Sequence, residues 1–173
     1  MPECIGWPGH AGNVPDPSIR SLDDLVDHVV ARITRPCAVL AQSMGGVVAM
    51  QAALRCPDRV THLVLAATSG GIDIADLRPV DWREDFIREN PGIPRWFIDD
   101  TTDLTARIGA IVCPTLLLWG DADAISPVAV GERLHRLLPM SRLRVFAGAG
   151  HDLIRTHARD VAAEIAAHLG RAG

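Results

Sequence analysis

Along the chain, short apolar blocks alternate with stretches in which apolar residues return every three or four positions. Cys37–Ala41, Val60–Ala67 and Thr115–Trp119 are blocks of the first kind, and Leu143–Phe146 is a shorter one. Apolar runs of about 4–8 residues without strict alternation predict strands covered on both faces, as in a parallel sheet. Ser21 and Asp24 form an S-x-x-D capping pattern ahead of Leu22, Leu25, Val26, Val29, Val30 and Ile33, and predict a helix over about 22–34. Gly45–Arg55 is apolar nearly all round, which suits a helix lying close against a sheet, and Cys56-Pro57 stops it. Further helices are predicted over Pro127–Leu138, which opens on proline, and His157–Leu169, with apolar spacing at Val161, Ala162, Ile165, Ala166 and Leu169. Strands and helices in alternation imply β-α units with right-handed crossovers. The fold class expected is α/β, a mostly parallel sheet of about five strands with helices on both faces. The additional strand is the tail formed by Pro2–Gly6.

Between Ile72 and about Arg107 the pattern changes. Trp82, Phe86, Trp96 and Phe97 stand among many charges, with Pro79, Pro91 and Pro94 as breaks. That predicts a small helical insertion, a lid on one domain spanning residues 1–173.

Composition narrows the class. At 173 residues the length suits one domain on the usual scale of roughly 100–200 residues. Hydrophobic residues make up 48% and charged residues 22%, and no apolar run approaches the ~20 residues of a membrane helix. No basic, apolar leader opens the chain, so the cytoplasm is expected, with no membrane partner. Net charge is −4, and the basic residues are scattered arginines in a chain without lysine, which excludes the basic patch of a nucleic-acid binder. Cys4, Cys37, Cys56 and Cys113 show no metal-ligand spacing, so neither a metal nor a disulfide framework is indicated. No cofactor is implied.

The chemistry centres on CAVLAQSMGG, residues 37–46, where a strand runs into a turn bearing Ser43 and then into a helix. A nucleophilic serine needs a base within hydrogen-bond reach, itself oriented by a carboxylate. Candidates for both follow later strands: Asp121 and Asp123 in GDAD after TLLLW, and His151 in GAGHD after LRVF. Loops beyond the carboxyl ends of parallel strands share one edge, so these residues converge there.

The elbow S-M-G-G with Ala41 at the first small position, the order Ser43, Asp123, His151, the PGHAG loop at 8–12 and the P-x-R-V entry at 57–60 together resemble the α/β-hydrolase family. The resemblance covers essentially the whole chain and favours Asp123 over Asp121, because it stands three residues after the glycine. It implies an esterase-like serine hydrolase acting on a small-molecule acyl substrate. Ser43 would be nucleophile, His151 base then acid, Asp123 the orienting acid and the Met44 N–H an oxyanion donor. Trp82, Phe86, Trp96 and Phe97 would wall the substrate site. Alternatives are a lyase, C–C bond hydrolase or perhydrolase using the same triad, or a truncated chain serving as a binding or scaffold protein. The family comparison also implies that the first three strands of its sheet are absent, leaving Pro2–Gly6 as the tail of the fourth. A second oxyanion donor would then be missing, activity reduced, and the edge of Cys37–Ala41 exposed to self-association.

Overall fold

The computed structural model describes residues 3–10 and 13–170. Pro2, Ala11 and Gly12 lie outside the described residues. Four parallel strands form one sheet in the order β1-β2-β3-β4: β1 Cys37–Gln42, β2 Val60–Ala66, β3 Thr115–Gly120 and β4 Ser141–Phe146. The expected tail at Glu3–Gly6 is irregular chain, and the reason is the lack of a partner. A groove of about 780 Å³ separates Glu3–Trp7 from β1, so its backbone groups have no ladder within reach.

Helix α1, Leu22–Arg32, starts as the capping pattern requires: Ser21 Oγ accepts from the Asp24 N–H at 3.1 Å. It ends at Arg32, two residues earlier than the periodicity suggests: Ile33 leaves the helical conformation with ψ 73° and turns its N–H to Val30 O. Helix α2, Met44–Arg55, follows β1 after a single residue. The segment expected to form an insertion, residues 72–107, contains α3, Arg83–Glu89, and α4, Arg95–Ile98, with single 3-10 turns at Ala75–Leu77 and just beyond it at Ile108–Ala110. Helix α5, Val128–Leu137, links β3 to β4, and the chain ends with α6, Leu153–Thr156, and α7, Ala158–Leu169.

Both sheet faces are covered at residues 63–66 of β2 and along β3, which accounts for the missing alternation there. β1, expected to be covered on both faces, is instead an edge strand with no fully buried residue and leaves Leu40 exposed. Leu63, Leu65, Leu117 and Trp119 point into the core under α2 and α5, while Val64, Ala66, Leu116 and Leu118 pack with Leu153 and Val161 on the other side. Burying one such leucine contributes roughly 1.5–3 kcal/mol, so the two-sided packing fixes the register of β2 and β3. Helix α1 packs on α2 through Leu22, Leu25, Val26, Val47 and Val48. Gly46 lets the start of α2 approach the turn just beyond β2, since a Cβ there would overlap the Thr68 side chain. Among the described residues, no helix is long and apolar enough to cross a membrane.

Candidate active site

Ser43 occupies the whole turn between β1 and α2, with φ 53° and ψ −130°. A non-glycine residue at positive φ is strained, and such strain persists only where the surroundings impose it. Here the Ser43 N–H donates to Ala66 O at 2.9 Å and Ser43 O accepts from the Gly46 N–H at 2.9 Å, pinning both sides of the turn. The small residue that close packing demands is Gly46. A Cβ at Gly45 would make only ordinary contact with Ala41, at 3.6 Å.

Ser43 Oγ lies 3.0 Å from His151 Nε2, and His151 Nδ1 lies 2.9 Å from Asp123 Oδ2. A carboxylate accepts, so Nδ1 carries the proton and Nε2 presents its lone pair to the serine hydroxyl. The Asp123 side chain is fully buried, and its Oδ1 accepts from the N–H groups of Ile125 and Ser126, both at 2.9 Å. Three N–H groups thus hold one carboxylate, which offsets the cost of burying its charge.

Asp121 is exposed and has a different task. Its Oδ1 accepts from the Gly148 N–H at 2.6 Å, bracing the loop that carries His151. The Ala122 N–H donates to Ala149 O at 3.0 Å in the same brace. Gly120 permits the close approach, because a Cβ would overlap the Ala149 carbonyl oxygen.

A cavity of about 840 Å³ opens over Ser43 and His151. Met44 lines it, as do Trp82, Phe86 and Phe97 from the insertion. Trp96 does not. It lies beside Trp7, with ring centroids 6.4 Å apart, in the cluster built around α1 and α2. Phe97 bridges the two groups, 5.0 Å from the Trp7 ring and 5.3 Å from that of Phe86. Trp96 and Phe97 therefore pack against Trp7 through an aromatic cluster that continues into the cavity lining at Phe86 and Trp82. The Val80 N–H also donates to Ala124 O at 2.8 Å, joining the insertion to the loop of Asp123.

Sequence patterns did not single out Gln42, whose Nε2 donates to His151 O at 2.7 Å, or Ala67, which lines the cavity with φ 47°. Gln42 holds the variable position of the elbow, where no residue type is specified, and Ala67 stands in no motif; only the tertiary fold brings the His151 loop against the one and the other against the cavity. His62 lies away from it, its ring 5.3 Å from that of His168 on α7. Among the described residues no group of three or more His, Cys, Asp or Glu could hold a metal ion.

A family model described as serine aminopeptidase, S33, matches residues 6–85, and one described as the alpha/beta hydrolase fold matches residues 90–158. A pimeloyl-[acyl-carrier protein] methyl ester esterase of Neisseria meningitidis serogroup C is 28% identical over 204 residues, spanning 92% of this chain and 79% of that one. A 2-hydroxy-6-oxononadienedioate/2-hydroxy-6-oxononatrienedioate hydrolase of Cupriavidus pinatubonensis is 34% identical over 79 residues, 46% of this chain and 26% of its own length. Among solved structures, a thermophilic esterase from Thermogutta terrifontis superposes with a TM-score of 0.75 at 23% identity, covering 93% of this chain and 76% of that one. A meta-cleavage product hydrolase from Pseudomonas fluorescens does so with a TM-score of 0.74 at 19% identity, over 93% and 76%.

Proposed function

We propose, on the premise that this chain belongs to the α/β-hydrolase fold family, that it is a serine hydrolase cleaving a carboxylic ester through an acyl-Ser43 intermediate. The observation that carries this reading is the continuous relay from Ser43 Oγ through the imidazole of His151 to the buried carboxylate of Asp123, with links of 3.0 and 2.9 Å.

In the first step His151 Nε2 takes the Ser43 hydroxyl proton as Oγ bonds to the ester carbonyl carbon, and Asp123 stabilises the imidazolium that forms. The same proton passes to the leaving alcohol as its C–O bond breaks. Water then gives a proton to Nε2 and attacks the acyl carbon, and the acid leaves with Ser43 Oγ reprotonated. The Met44 N–H begins α2, where first-turn N–H groups lack intrahelical partners, and it is our choice of donor to the developing oxyanion. The insertion over about 72–107 serves as a lid on the single domain, with Trp82, Phe86 and Phe97 against the acyl group. Likeness to pimeloyl-[acyl-carrier protein] methyl ester esterases supports a substrate with a small alcohol and a chain-like acyl group.

A fluorophosphonate probe should label the wild-type protein and fail to label Ser43→Ala. Labelling of both would remove Ser43 from the nucleophile role. A second reading, hydrolysis of a C–C bond by the same residues, draws on the 34% identity to the Cupriavidus hydrolase. A panel of simple esters and vinylogous diketones separates the two, since a C–C hydrolase should turn over the diketones far faster.

A further inference from the structure

His151 has a long way to reach. β1, which ends at Ser43, and β4, which precedes His151, are at opposite ends of the strand order. At about 4.8 Å per strand, three steps separate them by roughly 14 Å. The loop after β4 crosses the ends of β3 and β2 to bring the imidazole to the serine. Its first half is anchored at β3: Asp121 N–H donates to Phe146 O at 3.2 Å, Ala122 N–H to Ala149 O at 3.0 Å, and Gly148 N–H to Asp121 Oδ1. These bonds stop short of His151 itself.

At the far end, Gln42 Nε2 donates to the backbone carbonyl of His151 at 2.7 Å. A carbonyl only accepts, so the amide nitrogen must be the atom that faces it. Gln42 is the last residue of β1, in register with Ala66 of β2, and precedes the nucleophile directly. Its backbone is therefore among the best-fixed points near the reaction. The bond fixes the peptide plane at His151, and with it the pivot about which the imidazole swings between Ser43 and Asp123.

We propose that Gln42 is a positioning residue: its side-chain amide ties the carbonyl of His151 to the nucleophile's own strand and so sets the distance and angle from Nε2 to Ser43 Oγ. This rests on the triad reading given above. Gln42 exchanges no proton and its amide faces backbone, so its effect falls on the chemical steps. A misplacement of about 1 Å can cost ~10²-fold in rate, and the other contacts of the loop limit the displacement. Loss of the amide donor should therefore lower kcat by roughly 10-fold to 10²-fold, with KM within about twofold because the cavity walls are untouched.

The test uses Gln42→Met, which keeps the length and removes the donor, and Gln42→Asn, which keeps the amide but falls one methylene short. Steady-state kcat and KM on a p-nitrophenyl ester, the rate of fluorophosphonate labelling, and Tm are measured for both, beside wild type and Ser43→Ala. Expected are parallel losses in kcat and labelling rate, little change in KM, and a retained cooperative melt. If Gln42→Met fails to fold, Gln42→Asn carries the same expectation. Wild-type kcat in a folded variant, or a loss confined to KM, overturns the proposal. Labelling that survives in Ser43→Ala defeats the triad reading instead, so the two failures are distinguishable.

Discussion

Replacing Asp123 with asparagine isolates the orienting acid from everything else at the site. The two backbone bonds to Oδ1, from Ile125 and Ser126, require an acceptor, and the asparagine oxygen satisfies both. Its NH2 group must then take the place of Oδ2, 2.9 Å from His151 Nδ1. Two N–H groups cannot face each other, so the imidazole moves its proton to Nε2, and Nε2 loses the lone pair that the Ser43 hydroxyl needs. In a serine-histidine-aspartate enzyme this change of tautomer costs up to ~10⁴-fold in kcat, or about 5.5 kcal/mol at ~1.36 kcal/mol per decade. The fold should survive, since packing volume and both backbone bonds are kept. Initial rates on a p-nitrophenyl ester, with Tm as the folding control, give the comparison. Asp121→Asn is the matched control: it is exposed, it keeps an acceptor for the Gly148 N–H, and its cost should stay near the ~0.5 kcal/mol of an ordinary surface change. A folded Asp123→Asn protein within about tenfold of wild type, or a larger loss at Asp121, would refute the assignment of the acid.

Gly120→Ala should push the His151 loop off the strand end, because the new Cβ overlaps Ala149 O; a stability loss of ~1–3 kcal/mol and lower kcat are expected, and unchanged kinetics would show that the loop is positioned otherwise. Burial, and secondarily the nearby charge of His62, holds His168 below the ordinary histidine value, so the unfolded chain binds this proton more readily than the folded one. Stability by urea titration should fall as pH drops below ~6.5, and His168→Gln, which retains a donor for Leu63 O, should flatten that slope. Leu40 is 51% exposed on the edge strand β1, so self-association through that edge should weaken in Leu40→Lys; size-exclusion chromatography with light scattering reads the change, and equal oligomer content in both proteins would place any contact elsewhere.

The elements most legible in the sequence are those whose packing is two-sided. β3 is buried along its entire length, and its unbroken TLLLW run is the direct imprint of that burial, since no position on it faces water. Ser21 likewise marks the start of α1, because a cap is a local bond between neighbours in sequence. Glu3–Gly6 misled because a short stretch of sequence cannot say whether a partner strand is close enough to pair. Trp96 misled for a related reason. Its apolar surface can be satisfied equally by a substrate or by Trp7, and composition does not distinguish them.

The order of Ser43, Asp123 and His151, each just beyond an apolar run, was determined by sequence, because a strand's length and the turn that ends it are written in contiguous residues. Their meeting within 3.0 Å was decided by tertiary structure. That required parallel pairing of all four strands, a loop able to cross from β4 towards β1, and close approaches at Gly46 and Gly120 that depend on residues far away in the chain. The bond from Gln42 to His151 joins residues 109 positions apart and belongs wholly to this second class, since no local pattern encodes the distance between two edges of a sheet.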